Sequence, residues 1–592
     1  MLSPEVRTVA MDLLRPPPGQ QLDLAVLTTY TLDLEALLAV PLAVLAHSDA
    51  GVDQLLEDPL LILQGLREAG DRVHVFVDET GIAVPRRQRE LYATLENSVH
   101  PVRTPFGGVF HPKVWVARFV SLEDNGDALL RVAVLSRNLT FDRSWDVALA
   151  SEVKPGRRRV TASGPLGRLI GELVKLSTMP IPHVLADSLK TLVAQVSRAA
   201  FPGPADFSDA PIEFHAMGLG RSRRWLPNVP NGGDVLAVAP FLNAQALGSI
   251  RALGSGTATL VGRGEELDRL SDACLARWDN VRALAETALD EPDDETSSRP
   301  SGLHAKIIAV QHGWDVTWWV GSANLTTAAL QGRNVEIMAQ ITGRKSRVGI
   351  DKFLDGFDRL CETYTRSEEI EVDSEEDRQG QRDVEDAVRA LAEAGLAIAC
   401  TAADEVWEWR LDGRVGLPEG VTAQVWPVSV DEEQAVGLDL PVTFHLPMTR
   451  LTAFAAFVVS SNCPRTEPRR FALKLPIRGV PEERTARVLR SLIDSPERLL
   501  AFLRALLGGL EELGHAGDVG EAGKGAWAWD ADFGAETLLE DMLRAASRDP
   551  SRLVAVRKLI TDLRSTPEGR RIVPDRLHAV WESVDATLGV GR

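Results

Sequence analysis

The chain has 592 residues, of which 44% are hydrophobic and 25% charged, with a formal net charge of −19. At roughly 150 residues per domain, this length suits about four domains or subdomains of ordinary globular composition. The acidic balance argues against a general polyanion binder, but it leaves room for a local basic cleft, because binding follows the local field.

In chain order, the start MLSPEVRTVAMDLLRPPPG lacks the apolar stretch of a signal peptide. LAVLTT (24–29) predicts a strand, and 32–45 predicts a helix. The apolar run 36–46 is too short for a membrane span and contains Pro41. VHVFV (73–77), HPKVWVARFV (111–120) and LRVAVLS (130–136) predict further strands. A second stretch repeats this order, with VLAVA (235–239), a helix from about Ala244, then ATLVG, HAKIIAV and TWWVGS. Apolar runs parted by helical patterns predict βαβ units with a sheet buried on both faces.

Past about residue 365 the character changes. From Glu368 to Asp386 ten acids stand against Arg378 and Arg382 without apolar periodicity, which reads as a solvated linker or helix face. VWEWRL, AQVWPVSV, VTFHLP, FAAFVVS and FALKLPI predict a small β-rich domain. The spacing of Val488, Leu489, Leu492 and Ile493, then Leu499, Leu500, Leu503, Leu506 and Leu507, predicts helices to the end. Cys274, Cys361, Cys400 and Cys463 form no CxxC pair, which disfavours a cysteine-based zinc site and a disulfide-dense fold. The expected setting is a reducing compartment, most simply the cytoplasm, with no membrane partner.

The residues that carry chemistry fall in two matching sets. HPK at 111–113 is followed by SRNLT from 136, and HAK at 304–306 by SANLT from 322. Their near-equal offsets in the same order indicate a duplicated unit. In a strand, residues i and i+2 share a face, so His111 with Lys113, and His304 with Lys306, each aim an imidazole and an ammonium into one cleft. Ser136 and Asn138, and Ser322 and Asn324, face one side at strand ends. Each Asn precedes Leu-Thr and a helical pattern, where it could cap a helix or bind an anion. Acids follow in Ser144-Trp145-Asp146 and Asn334-Val335-Glu336. A carboxylate near an imidazole fixes its tautomer and raises its basicity.

This double pattern resembles the phospholipase D superfamily, whose motif is H-x-K, a gap, (G/S)-S-x-N and an N-x-E tail. It is more similar to the bacterial nuclease-like branch than to the lipid-cleaving enzymes. The resemblance covers about residues 20–350, and the second repeat matches better. Arg118 and Gln311 stand where many members carry Asp. The first repeat lacks Gly before Ser136 and has Ser144 and Asp146 in place of Asn and Glu.

The resemblance implies an α/β fold in which a duplicated phospholipase D-like αβα unit forms an intrachain pseudo-dimer, followed by a β-rich domain and a helical C-terminal region. The expected divisions are 1–200 and 201–365 for the repeats, 366–390 for an acidic linker, 391–480 for the β-rich domain and 481–592 for the helices. It further implies a metal-independent phosphodiesterase, without cofactor, that works through a phosphohistidine. His111 is the expected nucleophile and His304 the general acid, then base. Lys113, Lys306, Asn138 and Asn324 would hold the non-bridging oxygens, with Asp146 and Glu336 as acids and Ser136, Ser322 and Asn334 in support.

The expected function is a nuclease acting on DNA or RNA, in a role resembling bacterial defence beside a helicase or other defence-system protein. The rival readings are a phospholipase or phosphatidyl transferase, and an inactive DNA-binding subunit. Trp318-Trp319 read as core, and the other histidines show no ligand spacing. Arg157–Arg159 and Arg221, Arg223 and Arg224 read equally as exposed charge and as a phosphate track. Asp290–Glu295, just ahead of His304, reads as a solvated loop, with a restraining acidic plug over the cleft as the sharper alternative.

Overall fold

The computed structural model describes residues 13–45, 70–121, 128–141, 144–220, 224–230, 232–284, 302–357, 360–367 and 374–493, with 495–496, 499–500, 503, 542–543, 550–564 and 567–588 of the C-terminal region. Within them the apolar runs become strands of two mixed sheets. The first contains β1 (Gln20–Thr29), β2 (Val73–Asp78), β3 (Val99–Val102), β4 (Val114–Ser121), β5 (Leu129–Leu135) and, past the short β6 (Ser144–Trp145), β7 (Ala148–Val153). Its order is β3-β2-β1-β4-β5-β7. The first three strands in that order are parallel and the rest pair antiparallel.

The second sheet takes β8 (Glu213–Met217), β9 (Val235–Val238), β10 (Ala258–Gly262) and β11 (Asn280–Leu284). After the short β12 (Gly302–Leu303) it adds β13 (Ile307–His312), β14 (Asp315–Gly321), β15 (Glu336–Arg344) and β16 (Cys361–Thr363). Its order is β16-β11-β10-β9-β13-β14-β15-β8. Inside the two outermost strands, three parallel strands are again followed by three antiparallel ones. The expectation of βαβ units therefore holds for only part of each sheet.

Alternation along the strands distributes side chains among three cores. Leu24 and Val26 of β1 share a core with Leu236 and Val238 of β9. That core is common to both sheets and is closed by the helices Gly164–Leu176, His183–Val196 and Ile350–Phe357. Ala25 and Leu27 face a second core, and Val235 and Ala237 a third. Trp318 and Trp319 are both buried, one on each face of the second sheet.

Of the two readings of the acidic stretch, linker or helix face, the described part from Ser374 takes the second. Glu375–Glu393 is a helix, opened by a capping box in which Ser374 and Asp377 each accept the other's backbone N–H. Gly380, Val384, Ala387, Val388 and Leu391 form a buried stripe, while Arg378 and Arg382 pair with Glu375 on the open side. A Cβ at Gly380 would lie 2.3 Å from Thr466 Oγ1, so only glycine permits this close approach.

The predicted β-rich region forms two four-stranded sheets. One joins β17 (Ala397–Ala403), β18 (Val406–Asp412), β21 (Val442–Leu446) and β24 (Ile477–Arg478). The other joins β19 (Val421–Pro427), β20 (Val436–Gly437), β22 (Phe454–Ser461) and β23 (Arg469–Lys474). Its core is continuous with that of the first sheet, since Trp409, Phe457 and Phe471 cluster with Leu27 and Val75. Arg484 locks the junction with two bonds to Glu96, at 2.9 and 2.8 Å, and one to Leu451 O. The described C-terminal helices gather around a separate core that includes Leu553, Leu559 and Trp581. No helix among the described residues is long and apolar enough to cross a membrane.

Candidate active site

The two His-x-Lys segments lie just ahead of β4 and β13, not inside them as the i, i+2 argument assumed. They are nevertheless held in line by the opposite half of the chain. His111 N–H donates to Val335 O at 2.9 Å, and Val335 N–H donates to Val109 O at 3.1 Å. The N–H groups of His304 and Ala305 both donate to Trp145 O, where β6 and β12 pair in parallel.

The acids cross over in the same way. His111 Nδ1 lies 2.9 Å from Glu336 Oε2, so the carboxylate fixes the proton on Nδ1 and leaves the lone pair on Nε2. Lys113 Nζ sits 2.9 Å from that Nε2. Ser322 Oγ donates to Glu336 Oε2 at 2.5 Å, and Asn334 Nδ2 lies 3.5 Å from Oε1. In the other direction, His304 Nδ1 is 3.2 Å from Ser144 Oγ, which donates to Asp146 Oδ2 at 2.6 Å. Ser136 Oγ supports Asp146 Oδ1 at 2.8 Å and accepts Val147 N–H, as Ser322 Oγ accepts Ile337 N–H. Aspartate is one methylene shorter than glutamate, and the Ser144 hydroxyl spans the difference. Ser144 and Asp146, two of the first repeat's departures, therefore compensate each other.

Burial sets the electrostatics. Glu336, Lys113 and Lys306 are almost entirely enclosed. Burial, helped by Lys113 and Lys306 against the pull of Glu336, lowers His111 to about 4. It lowers Lys113 well below the usual lysine range, with Lys306 adding to the effect. Lys306 falls to about 8 for the same first reason, and its Nζ donates to His304 O at 2.5 Å. Burial raises Asp146, opposed by the hydrogen bonds from Ser144 and Ser136. Such a set offers a neutral imidazole with the buried amines of Lys113 and Lys306 close enough to act on its charge. Among the described residues no three His, Cys, Asp or Glu side chains group as a metal ion needs.

Neither asparagine caps a helix. Leu139 and Leu325, the residues that follow them, bridge to Leu32 and Leu242, which keeps the chain extended there. The helix Thr327–Leu330 starts later and is capped by Thr326. Asn138 Oδ1 instead accepts Thr31 N–H at 3.3 Å, and Asn324 Oδ1 is buried without a partner among the described residues. Arg118 and Gln311 lie five residues along from their lysines, about 16 Å in an extended strand. They pair with Asp23 and Asp234. Arg157–Arg159 and Arg224 are exposed, whereas Arg221, Arg223 and the run 290–295 fall outside the described residues.

Four further residues border the site and had no sequence signal beyond their type. The Tyr30 ring lies 5.3 Å from the His111 ring. Asp78, at the end of β2, accepts Phe110 N–H at 2.8 Å and so fixes the residue before His111. Arg263 donates through Nε to Leu303 O at 3.0 Å, beside His304. Arg469 of β23 lies near the Tyr30 hydroxyl and partly offsets the rise that burial gives it. The β-rich region reaches this place because Ala472 N–H donates to Ile82 O at 2.7 Å, and Ile82 bridges Leu32.

No family model and no curated protein matches this sequence. Among solved structures, yeast tyrosyl-DNA phosphodiesterase is similar at 12% identity, over 58% of this chain and 87% of that one, with a TM-score of 0.33. Polyphosphate kinase from Porphyromonas gingivalis is similar at 12% identity, over 65% of this chain and 45% of that one, with a TM-score of 0.29.

Proposed function

We propose that the chain is a phospholipase D-like phosphodiesterase, built from a duplicated unit, that cleaves nucleic acid through a phosphohistidine. The observation that carries this reading is the crossed pairing, in which Glu336 holds His111 and the Ser144–Asp146 pair holds His304. His111 Nε2 attacks phosphorus, and His304 gives its proton to the leaving oxygen. His304 then takes a proton from water, which displaces His111 and completes hydrolysis. Lys113, Lys306, Asn138 and Asn324 bind the non-bridging oxygens and stabilise the charge that builds up on them. The lysines supply the positive charge that a metal pair supplies in other phosphodiesterases. A defence role beside a helicase or similar partner would follow from the family resemblance.

The test is hydrolysis of a chromogenic phosphodiester and of labelled oligonucleotides in EDTA. The wild type is expected to be active there, and an acid-labile, alkali-stable phosphate adduct should accumulate on His111 in His304→Ala. Activity only with added divalent metal, or label on neither histidine, would refute the mechanism.

A further inference from the structure

Among the described residues, the large aromatic side chains open to solvent are Phe106, Phe141, Phe241 and Trp314, between 38% and 77% exposed. A soluble chain exposes single apolar side chains routinely, but their placement here is not scattered. Phe106 lies five residues before His111, on a loop pinned to the other half by Val109 N–H on Asn334 Oδ1 at 3.2 Å. Phe141 lies three residues after Asn138. Phe241 precedes Leu242, whose bridge to Leu325 sets it alongside Asn324. Only Trp314 is remote, on the turn at the far end of the strand that begins after Lys306.

Phe241 has a further companion. The Arg263 guanidinium stands 5.3 Å over its ring, held there by the bond to Leu303 O. A flat ring with a guanidinium at its face, next to phosphate-binding lysines, is the arrangement on which a nucleobase stacks. A base inside a duplex has both faces covered by its neighbours, so only an unpaired base gains from such a ring.

Resting on the nucleic-acid reading above, we infer that Phe241 and Arg263 form a stacking subsite for an unpaired base on the His304 side of the cleft, with Phe106 and Phe141 at its mouth. The substrate class is therefore single-stranded nucleic acid, or a frayed or unpaired end.

The test is fluorescence anisotropy with a short labelled oligonucleotide, single-stranded or annealed to its complement. The full chain carries His111→Gln so that the strand stays intact. The single strand is expected to bind at least about ten-fold tighter than the duplex, and Phe241→Ala to weaken it about 5- to 150-fold. Phe241→Trp should bind at least as well as the parent. Placing an abasic site at the stacked position should abolish the effect of Phe241→Ala. A thermal melt of each variant separates lost stacking from lost fold. Equal or tighter duplex binding, no loss with a folded Phe241→Ala, or no binding at all would overturn the inference. Single-strand binding by a wild type that cleaves no phosphodiester would instead overturn the proposed activity and leave the subsite standing.

Discussion

At the scale of single residues, the two halves reach similar ends by different means. Glu336 touches its histidine directly, whereas Asp146 acts through Ser144. In the proposed reaction Glu336→Gln removes the charge that supports His111 as it becomes positive, and the rate should fall by up to about 10⁴-fold. Ser144→Ala should cost less, about ten-fold, because water can replace one hydroxyl. Single-turnover rates on the chromogenic diester would rank them. The pH dependence has a definite sign. His111, lowered to about 4 by burial, is unprotonated above that pH, so kcat/KM should rise through about 4. Lys306, lowered to about 8, loses its charge as pH climbs past that point, so the rate should fall there. Arginine stays charged, and Lys306→Arg should move the alkaline limb upward. A limb that does not move would assign it to another group. The candidate histidines, lysines, asparagines and acids stood out by their spacing, but the contacts among them did not. Glu336 and His111 are joined across 225 positions, which leaves no local pattern to read.

At the scale of elements, continuous apolar runs such as VWVARFV announced their strands because both faces are buried. β17, AIACTAA, gave little warning, since alanine has poor strand propensity and its pairing with β18 decides the matter. The helix Glu375–Glu393 was left open between linker and helix face for the opposite reason. Its buried stripe is made of small and branched residues set among acids whose charge dominates the sequence. The junction it helps to build centres on the Glu96–Arg484 pair, each side chain about one-tenth exposed, at 11%. Arg484→Ala leaves a buried carboxylate unpaired and should lower stability by roughly 3–5 kcal/mol. Urea denaturation would measure this, and a change below about 1 kcal/mol would mean that water reaches Glu96.

At the scale of the whole molecule, the repeated motifs each fall at strand ends in one of the two mixed sheets, but composition suggested modules more separate than the shared cores allow. The outer face of the first sheet is covered by the β-rich region, in one core. Cutting the chain at residue 365 would uncover Leu27, Val75 and their neighbours. The fragment 1–365 should therefore bind an apolar dye and aggregate, whereas the full chain should not; a soluble, cooperatively melting fragment would contradict this. The crossed histidine and acid pairs carry a genetic consequence as well. The proposed reaction centre draws on both halves of one polypeptide, so a His111 mutant and a His304 mutant produced in the same cell should not rescue each other. In an enzyme whose centre is shared between two copies, mixed assemblies restore a fraction of intact sites. Here the two lesions should behave as alleles of a single indivisible unit.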